Sequence, residues 1–321
     1  MLMSRRAAIT AGVSAVGIGA AMGSARAAQP FAAAQAPAFF RSKIGAFEIT
    51  SINDGVAFRP LEGFIKNAPG DEVRKVLGDA FLAQDKITIP FTSLVVNTGG
   101  KLVLLDSGNG DLGAATSGSW MANFRAAGFD PAQVDAVIVS HFHGDHINGM
   151  RLKNGQAVFP NAEIMVGATE WGFWMDDARM AQAGEGMKGA FENVRRVFAP
   201  VAKDVTRFEW GKEIVPGITA VSAPGHTPGH TVFAIQSGAA KFLMMSDLTN
   251  NTEVFVRRPD WQAIVDMDGE VARQTRHRML DMAASEGMQV AFYHAPFPAT
   301  GHIMRDGSTY RLVPAFWQPM G

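Results

Sequence analysis

His141-Phe142-His143-Gly144-Asp145-His146 follows at once on the apolar run Val134–Ser140, VDAVIVS. Three imidazoles and a carboxylate therefore sit at the mouth of a short buried strand. In an extended stretch, residues two apart face the same way, so His141 and His143 can grip one ion. A turn at Gly144 then sends Asp145 and His146 toward a second. The competing origin for such a run is a surface histidine tract.

Working outward, three further segments repeat the arrangement. ITAVSAPG leads into His226, KFLMMS into Asp247 and QVAFY into His294. Strands buried in a sheet deliver their terminal residues to a common edge, where loops build a site. Four separate segments ending in His or Asp are what a metal cluster requires, and no local motif imitates that. Imidazole and carboxylate donors suit zinc, iron and manganese. The chain has no cysteine, which excludes disulfides, cysteine zinc sites and thiol nucleophiles. It also lacks a G-x-S-x-G elbow, leaving metal as the main chemical engine.

The rest of the chain reads as one α/β domain. GAFEITSINDG alternates like a first strand ending in a turn, and Asp71–Phe81 reads as a short helix. FTSLVVNTGGKLVLLDSG places two apolar runs around Asn97-Thr98-Gly99-Gly100, a hairpin signature. Further helices are expected at Ser119–Ala127, in part of 169–210, and from Trp261 to Glu286. Strands are expected at Ile218–Ser222, Thr231–Gln236, Lys241–Ser246 and Met288–Tyr293. There is no internal repeat, phosphate loop or G-x-G-x-x-G, so the pattern is an α/β sandwich and not a nucleotide-binding sheet. Of the 321 residues, 47% are hydrophobic, enough for one sizeable core. The 29 Lys and Arg against 30 Asp and Glu leave no basic footprint, which argues against nucleic acid as a partner.

The N-terminus carries a different message. Met1–Arg6 reads MLMSRR, followed by a mildly apolar stretch from Ala7 to Gly23 and by Ala25-Arg26-Ala27. Twin arginine, weak apolar region and A-x-A site together read as a twin-arginine export signal over residues 1–27, implying a periplasmic or secreted protein. The stretch is too short and glycine-rich for a membrane span, so none is expected in the mature form. Residues 28–43, rich in Ala, Pro and Gln, read as a linker, and 44–321 as the catalytic domain.

His141 to His146 resembles the H-x-H-x-D-H signature of the metallo-β-lactamase superfamily. Leu105-Asp106-Ser107-Gly108 upstream, Pro224-Gly225-His226-Thr227-Pro228-Gly229-His230, Ser246-Asp247 and a late His294 match in order and spacing across 44–321. The branch most similar is that of methyl parathion hydrolases and their lactonase relatives, through FEITSINDG, LVVNTGGKLVLLDSG, APGHTPGHT and HAPFPATGHI. The resemblance implies a four-layer αββα sandwich and two divalent metal ions, zinc first, with manganese, iron or cobalt as alternatives. One metal would be held by His141, His143 and His226, the other by Asp145, His146 and His294. Asp247 would bridge them together with a hydroxide. His230 and His302 would stand behind the ligands or in the pocket, and Asp106 would orient the ligand loop. His277, in the Arg-rich stretch RQTRHRM, reads as a surface residue.

The implied activity is hydrolysis of a small neutral ester: an organophosphate triester, a lactone or an aryl ester. Asp145 and Asp247 would serve the hydroxide by balancing charge and shuttling a proton. Trp171, Phe173, Trp174, Phe58 and Phe64 are candidate pocket aromatics, Trp174 foremost. Gly184–Lys188 (GEGMK) departs from the branch, where bulky aromatics are expected, and leaves room for a bulkier ester or lactone. The alternatives are a β-lactam hydrolase or a mononuclear-iron or diiron oxidoreductase of the same fold. A retained His143 and a full set of seven ligands weigh against the oxidoreductase. A homodimer fits the resemblance, since dimers are common among its relatives.

Overall fold

Runs of apolar residues that do not alternate mark strands covered on both faces, and the computed structural model places them accordingly. It describes residues 31–320. The expected export signal, residues 1–27, lies outside them. From Pro37 onward the chain forms one unit built on two seven-stranded sheets. The first takes β1 (Phe39–Ile44), β2 (Phe47–Pro60), β3 (Lys86–Asn97), β4 (Leu102–Leu105), β5 (Ala136–Val139), β6 (Glu163–Gly167) and β7 (Thr206–Phe208) in sequence order. The second takes β8 (Glu213–Val215), β9 (Ile218–Ser222), β10 (Thr231–Ser237), β11 (Ala240–Met244), β12 (Gln289–Ala291), β13 (Thr300–Asp306) and β14 (Thr309–Pro314), again in order. Pairing is antiparallel except along β4 to β7 and between β11 and β12.

The helices are α1 (Gly70–Asp79), α2 (Trp120–Ala126), α3 (Gly144–Ile147), α4 (Ala168–Trp174), α5 (Asp177–Gln182), α6 (Glu185–Phe198), α7 (Thr252–Phe255) and α8 (Gly269–Glu286). Side-chain alternation explains the layers. Val103, Leu105, Ala136 and Ile138 point between the sheets, against Ala220, Phe233, Phe242 and Met244 of the second sheet. Leu104, Val137 and Val139 point the other way, onto Phe124 of α2, Trp171 of α4 and Val194 of α6. On the far side, Leu243 and Val290 pack under Met279, Leu280 and Ala283 of α8. The result is the αββα sandwich. Among the described residues, no helix is long and apolar enough to cross a membrane.

Three boundaries differ from the sequence reading, each for a local reason. The linker ends early: β1 starts at Phe39, pairing Phe39 with Ile52 and Ile44 with Phe47, so the fold begins before residue 44. The half-buried Phe39 and Phe40 outweigh the Ala/Pro/Gln composition before them. The first long strand does not end at Asn53-Asp54-Gly55. It bulges there and runs on to Pro60, with Gly55 at φ 109° and its Cα against the carbonyl of Thr116. The long helix starts at Gly269 and not at Trp261, because Asp268 caps it by accepting the Val271 N–H at 3.0 Å. That frees residues 261–268 to be a loop, with consequences for the site.

Candidate metal centre

Four strand ends meet at one edge of the sandwich. β5 ends into His141, β9 into the turn carrying His226, β11 into Asp247 and β12 into His294. Their donor atoms fall into two groups that share Asp247. His141, His143, His226 and Asp247 form one; Asp145, His146, Asp247 and His294 form the other, all within 4.8 Å in each group. In the first, His143 Nδ1 lies 3.0 Å from His141 Nε2 and 2.9 Å from His226 Nε2. Asp247 Oδ2 is 3.3 Å from His226 Nε2. In the second, His146 Nε2 is 3.3 Å from Asp145 Oδ2 and 3.1 Å from Asp247 Oδ1. His294 Nε2 stands 2.8 Å from Asp247 Oδ2.

These spacings suit metal. Ligand atoms bonded at about 2.1 Å to one tetrahedral ion stand about 3.3 Å from one another. His146 Nε2 and Asp247 Oδ1 are buried and make no hydrogen bond among the described residues. Orphaned polar atoms at the heart of a folded protein are expensive, and a cation between them removes the cost. Nitrogen and carboxylate oxygen donors are the set that borderline divalent ions take.

Behind four of the five imidazole ligands, all but His143, stands an acceptor that fixes the orientation of the ring. His146 Nδ1 donates to Asp106 Oδ2 at 2.9 Å, and His226 Nδ1 to Asp266 Oδ1 at 2.9 Å. His294 Nδ1 donates to the Pro90 carbonyl at 2.7 Å. His141 Nδ1 meets Ser140 Oγ at 3.0 Å, and that hydroxyl donates to Asp106 Oδ2 at 2.7 Å. Asp106 thus serves two ligands from one buried carboxylate, held at φ 62°. His230 acts on Asp247: its Nδ1 donates to the Ala223 carbonyl at 2.8 Å, and its Nε2 accepts the Asp247 N–H at 3.0 Å. Burial, reinforced by the neighbouring His226, lowers His230 to about 4, which keeps the ring neutral and Nε2 free to accept.

The charges are those of a cation site. Burial lowers His143 to about 3, helped by His226, leaving a neutral ligand. Burial opposes ionisation of Asp145, but His146 and His294 together outweigh it and bring the carboxyl down to about 2. Burial likewise opposes a charge on His226, yet hydrogen bonds to Asp247 and Asp266 push it up to about 9. Asp247 is held well below the usual carboxylate range by His146 and His294 against the same burial. Without metal, protons sit on imidazoles that a metal would claim.

A family model of the metallo-beta-lactamase superfamily matches residues 89–294, most of the chain and every residue of the two groups. The chain belongs to that superfamily. The match bears out the αββα fold and, with the geometry above, a dinuclear divalent metal site. Among individual members, an N-acyl homoserine lactonase of Bacillus sp. is 27% identical over 171 residues, 53% of this chain and 59% of that protein. One from Bacillus thuringiensis is 26% identical over 193 residues, covering 60% and 65%. The matched stretch thus spans less than two thirds of either lactonase. Among solved structures, the superfamily hydrolase AbOPH superposes with a TM-score of 0.84 at 28% identity, over 89% of this chain and 100% of its own. AidC, described as a dizinc quorum-quenching lactonase and solved with N-hexanoyl-L-homoserine as product, gives 0.83 at 26%, covering 88% and 99%.

The superfamily site opens into a cavity of about 780 Å³ whose floor includes His143, Asp145, His226, Asp247 and His294. Trp174 lines it, as do Gly186 and Met187 of the divergent GEGMK stretch, so that departure shapes the pocket directly. The other expected aromatics do not line it. Phe64 is in the core between the sheets, Trp171 packs on Phe142 and Phe198, Phe173 stacks on Phe191, and Phe58 is exposed beside Lys86. Phe91 and the 264–267 loop supply apolar wall in their place. His302 also needs correcting. On β13 it is exposed, opposite Gln289 and Val313, in a separate surface groove near Arg41, because strand alternation turns it away from Gly301 and Ile303. His277 is half-buried on α8, paired with Asp260 at 2.9 Å, away from the cluster.

Sequence reasoning passed over three residues that the site depends on. Glu170, 1% exposed, accepts from Phe142 N–H, Trp174 Nε1, Thr227 Oγ1 and Gly229 N–H at 2.7–2.9 Å, tying both histidine loops to α4. Tyr293 donates to the Asp145 carbonyl at 2.6 Å and lays its ring 3.9 Å from that of His146. Asp266 was hidden inside the misplaced helix. The capping signal Asp268-Gly269 would have put the helix start after it.

Proposed function

We propose that this chain hydrolyses a lactone or another small uncharged ester, using two zinc ions held by His141, His143 and His226 and by Asp145, His146 and His294, with Asp247 between them. The observation that carries the reading is the doubled donor set on the floor of a cavity whose wall is part apolar and part polar, with Arg59, Lys66 and Asn250 in it. The lactonase likeness of its relatives supports the substrate class. When bound, the metal pair supplies Lewis acidity and a water acidified toward neutrality.

The chain's own residues do the rest. Ile89, Phe91, Met187, Ile264, Val265 and Met267 give the cavity an apolar side against which an acyl or alkyl group can pack, beside a polar side that includes Arg59 and Lys66. Asp145 is the more accessible of the two carboxylates, 22% against 3% for Asp247. It is therefore the group placed to take a proton from the attacking water and return it to the leaving alkoxide as the C–O bond breaks. Asp247, fixed through its N–H by His230, keeps its place between the two donor groups throughout. A lactone so opened yields one hydroxy acid, its hydroxyl and carboxylate ends still joined.

The test is kcat/KM of the zinc-loaded protein on an acyl-homoserine lactone and on an aryl dimethyl phosphotriester, side by side, with chelated protein as control. A preference for the lactone of at least tenfold, abolished by chelation, is expected. A preference for the phosphotriester would move the substrate class, and inactivity on both would sink the ester reading.

A further inference from the structure

α8 carries a charged side chain that the site does not touch and the solvent does not reach. Arg276 is 1% exposed. Its Nε donates to the Leu248 carbonyl at 2.9 Å, and its Nη1 to the carbonyls of Pro259 and Trp261 at 2.9 and 2.8 Å. Its Nη2 reaches Asp266 Oδ2 at 3.3 Å, and the ring of Phe255 closes the pocket. Burying a guanidinium is costly unless its donors are used and an opposite charge lies close; here four of the five N–H groups are bonded and Asp266 supplies the charge. The carbonyls it gathers all belong to the segment between Asp247 and α8.

Asp266 spends its other oxygen on His226 Nδ1. Around that bond, the Met267 N–H donates to the His226 carbonyl at 3.2 Å and the Asp268 N–H to the Gly225 carbonyl at 2.9 Å. The 266–268 loop is thus zipped onto the His226 turn; the Ile264 N–H to Phe64 carbonyl and Lys66 N–H to Gln262 carbonyl bonds hold the segment before it, and Arg276 supplies the charged anchor at Asp266 itself. Of the remaining ligands, all but His143 have braces that do not run through Asp266. His141 and His146 rest on Asp106, His294 on the Pro90 carbonyl, Asp145 on Tyr293 and Asp247 on His230. Only His226 depends on a brace that itself hangs from a buried cation.

We propose that Arg276 is a positioning residue that sets the metal affinity of the His141–His143–His226 position through Asp266, leaving the Asp145–His146–His294 position nearly unchanged. The proposal rests on the dinuclear reading above. Without the guanidinium, Asp266 Oδ2 loses its charged partner and the loop loses three carbonyl anchors. The carboxylate then no longer holds His226 Nε2 at the spacing its neighbours require. Losing such a partner behind a ligand weakens binding about 10- to 100-fold.

The experiment compares full-length wild type, Arg276→Met, Arg276→Lys and Asp266→Asn by zinc competition against a chromophoric chelator, with thermal melts alongside. Wild type takes two zinc ions per chain. Arg276→Met and Asp266→Asn keep one at wild-type affinity and bind the other about 10- to 100-fold more weakly. Arg276→Lys, which can reach the carboxylate but cannot span three carbonyls, falls between. A protein carrying both Arg276→Met and Asp266→Asn binds zinc no more weakly than either single variant, since both residues lie on one path. Cobalt-loaded Arg276→Met loses the absorption of one of two sites, which mere loosening of the fold would not do. Equal weakening of both positions, or of neither, overturns the proposal. Should Arg276→Met not fold, Asp266→Asn decides: it is close in size, and two wild-type affinities there also overturn it. A wild-type chain that takes fewer than two zinc ions refutes the dinuclear reading itself, and the proposal with it.

Discussion

Gly229→Ala puts one methyl group where the structure has no room. A Cβ at Gly229 would lie 2.2 Å from the Glu170 backbone nitrogen and 2.5 Å from its Cα, atoms of α4 that cannot swing aside. Ordinary contact needs at least about 3.4 Å, so the turn must retreat by roughly 1.2 Å. That retreat stretches the 2.8 Å bond from the Gly229 N–H to Glu170 Oε2. Overpacking costs about 1–3 kcal/mol, and losing a hydrogen bond to a charged group about 1.5–3 kcal/mol. The sum, roughly 2.5–6 kcal/mol, is a fall of about 4–10 °C in melting temperature for a domain of this size. Because the same turn carries His226, zinc affinity should fall too. Gly189→Ala is the control: it lies inside α6 with nothing within 4 Å of a new Cβ, and should gain about 0.5–1 kcal/mol from helix propensity. Thermal melts and zinc stoichiometry of both variants decide the matter. A Gly229→Ala protein that melts within 1 °C or so of wild type, with both metals at full affinity, would refute the claim that close packing on α4 sets the His226 turn.

Other outcomes follow from the same geometry. Asp247→Ala should lose one zinc ion and most activity, since its oxygens reach into both donor groups; full metal content with retained turnover would contradict its place between them. His302→Ala, exposed on β13, should change stability by no more than about 0.5 kcal/mol and leave zinc content and kcat/KM alone; loss of a metal would show that the late histidine was wrongly placed. His226 is pushed up to about 9 in the metal-free protein, so at pH 7.5 it carries a proton that an incoming ion must expel. Reloading should therefore release protons to an indicator dye, and zinc affinity should fall as pH is lowered. Proton-neutral uptake at that pH would mean His226 is already neutral.

Much of this protein was legible in the chain itself, for a physical reason. A strand that leads straight into a ligand carries both signals in adjacent residues, as VDAVIVS before His141 and KFLMMS before Asp247 do. Backbone connectivity alone then delivers the side chain to a sheet edge. His141, His226, Asp247 and His294 were read this way and His143, Asp145 and His146 from the motif spacing, and the superfamily resemblance implied the two candidate groups whose donor atoms the structure brings together. The layers were legible too, because continuous apolar runs such as AVIV of β5 need cover on both faces.

What escaped was whatever depends on partners distant in sequence. Glu170 serves Phe142, 28 residues earlier, and Gly229, 59 residues later, and nothing around it in α4 distinguishes it from a surface glutamate. Asp266 and Arg276 matter through a loop whose course is set by the capped start of α8, a boundary that apolar periodicity does not register. The pocket aromatics were mostly misjudged for a related reason: whether a ring lines a cavity or fills a core depends on the face its helix or strand turns inward. His302 shows the same limit within a single strand, one residue of register separating the buried face from the solvent. Ligand identity is written locally because donor chemistry belongs to the residue itself. Orientation, bracing and cavity shape are decided only when the fold brings distant segments together.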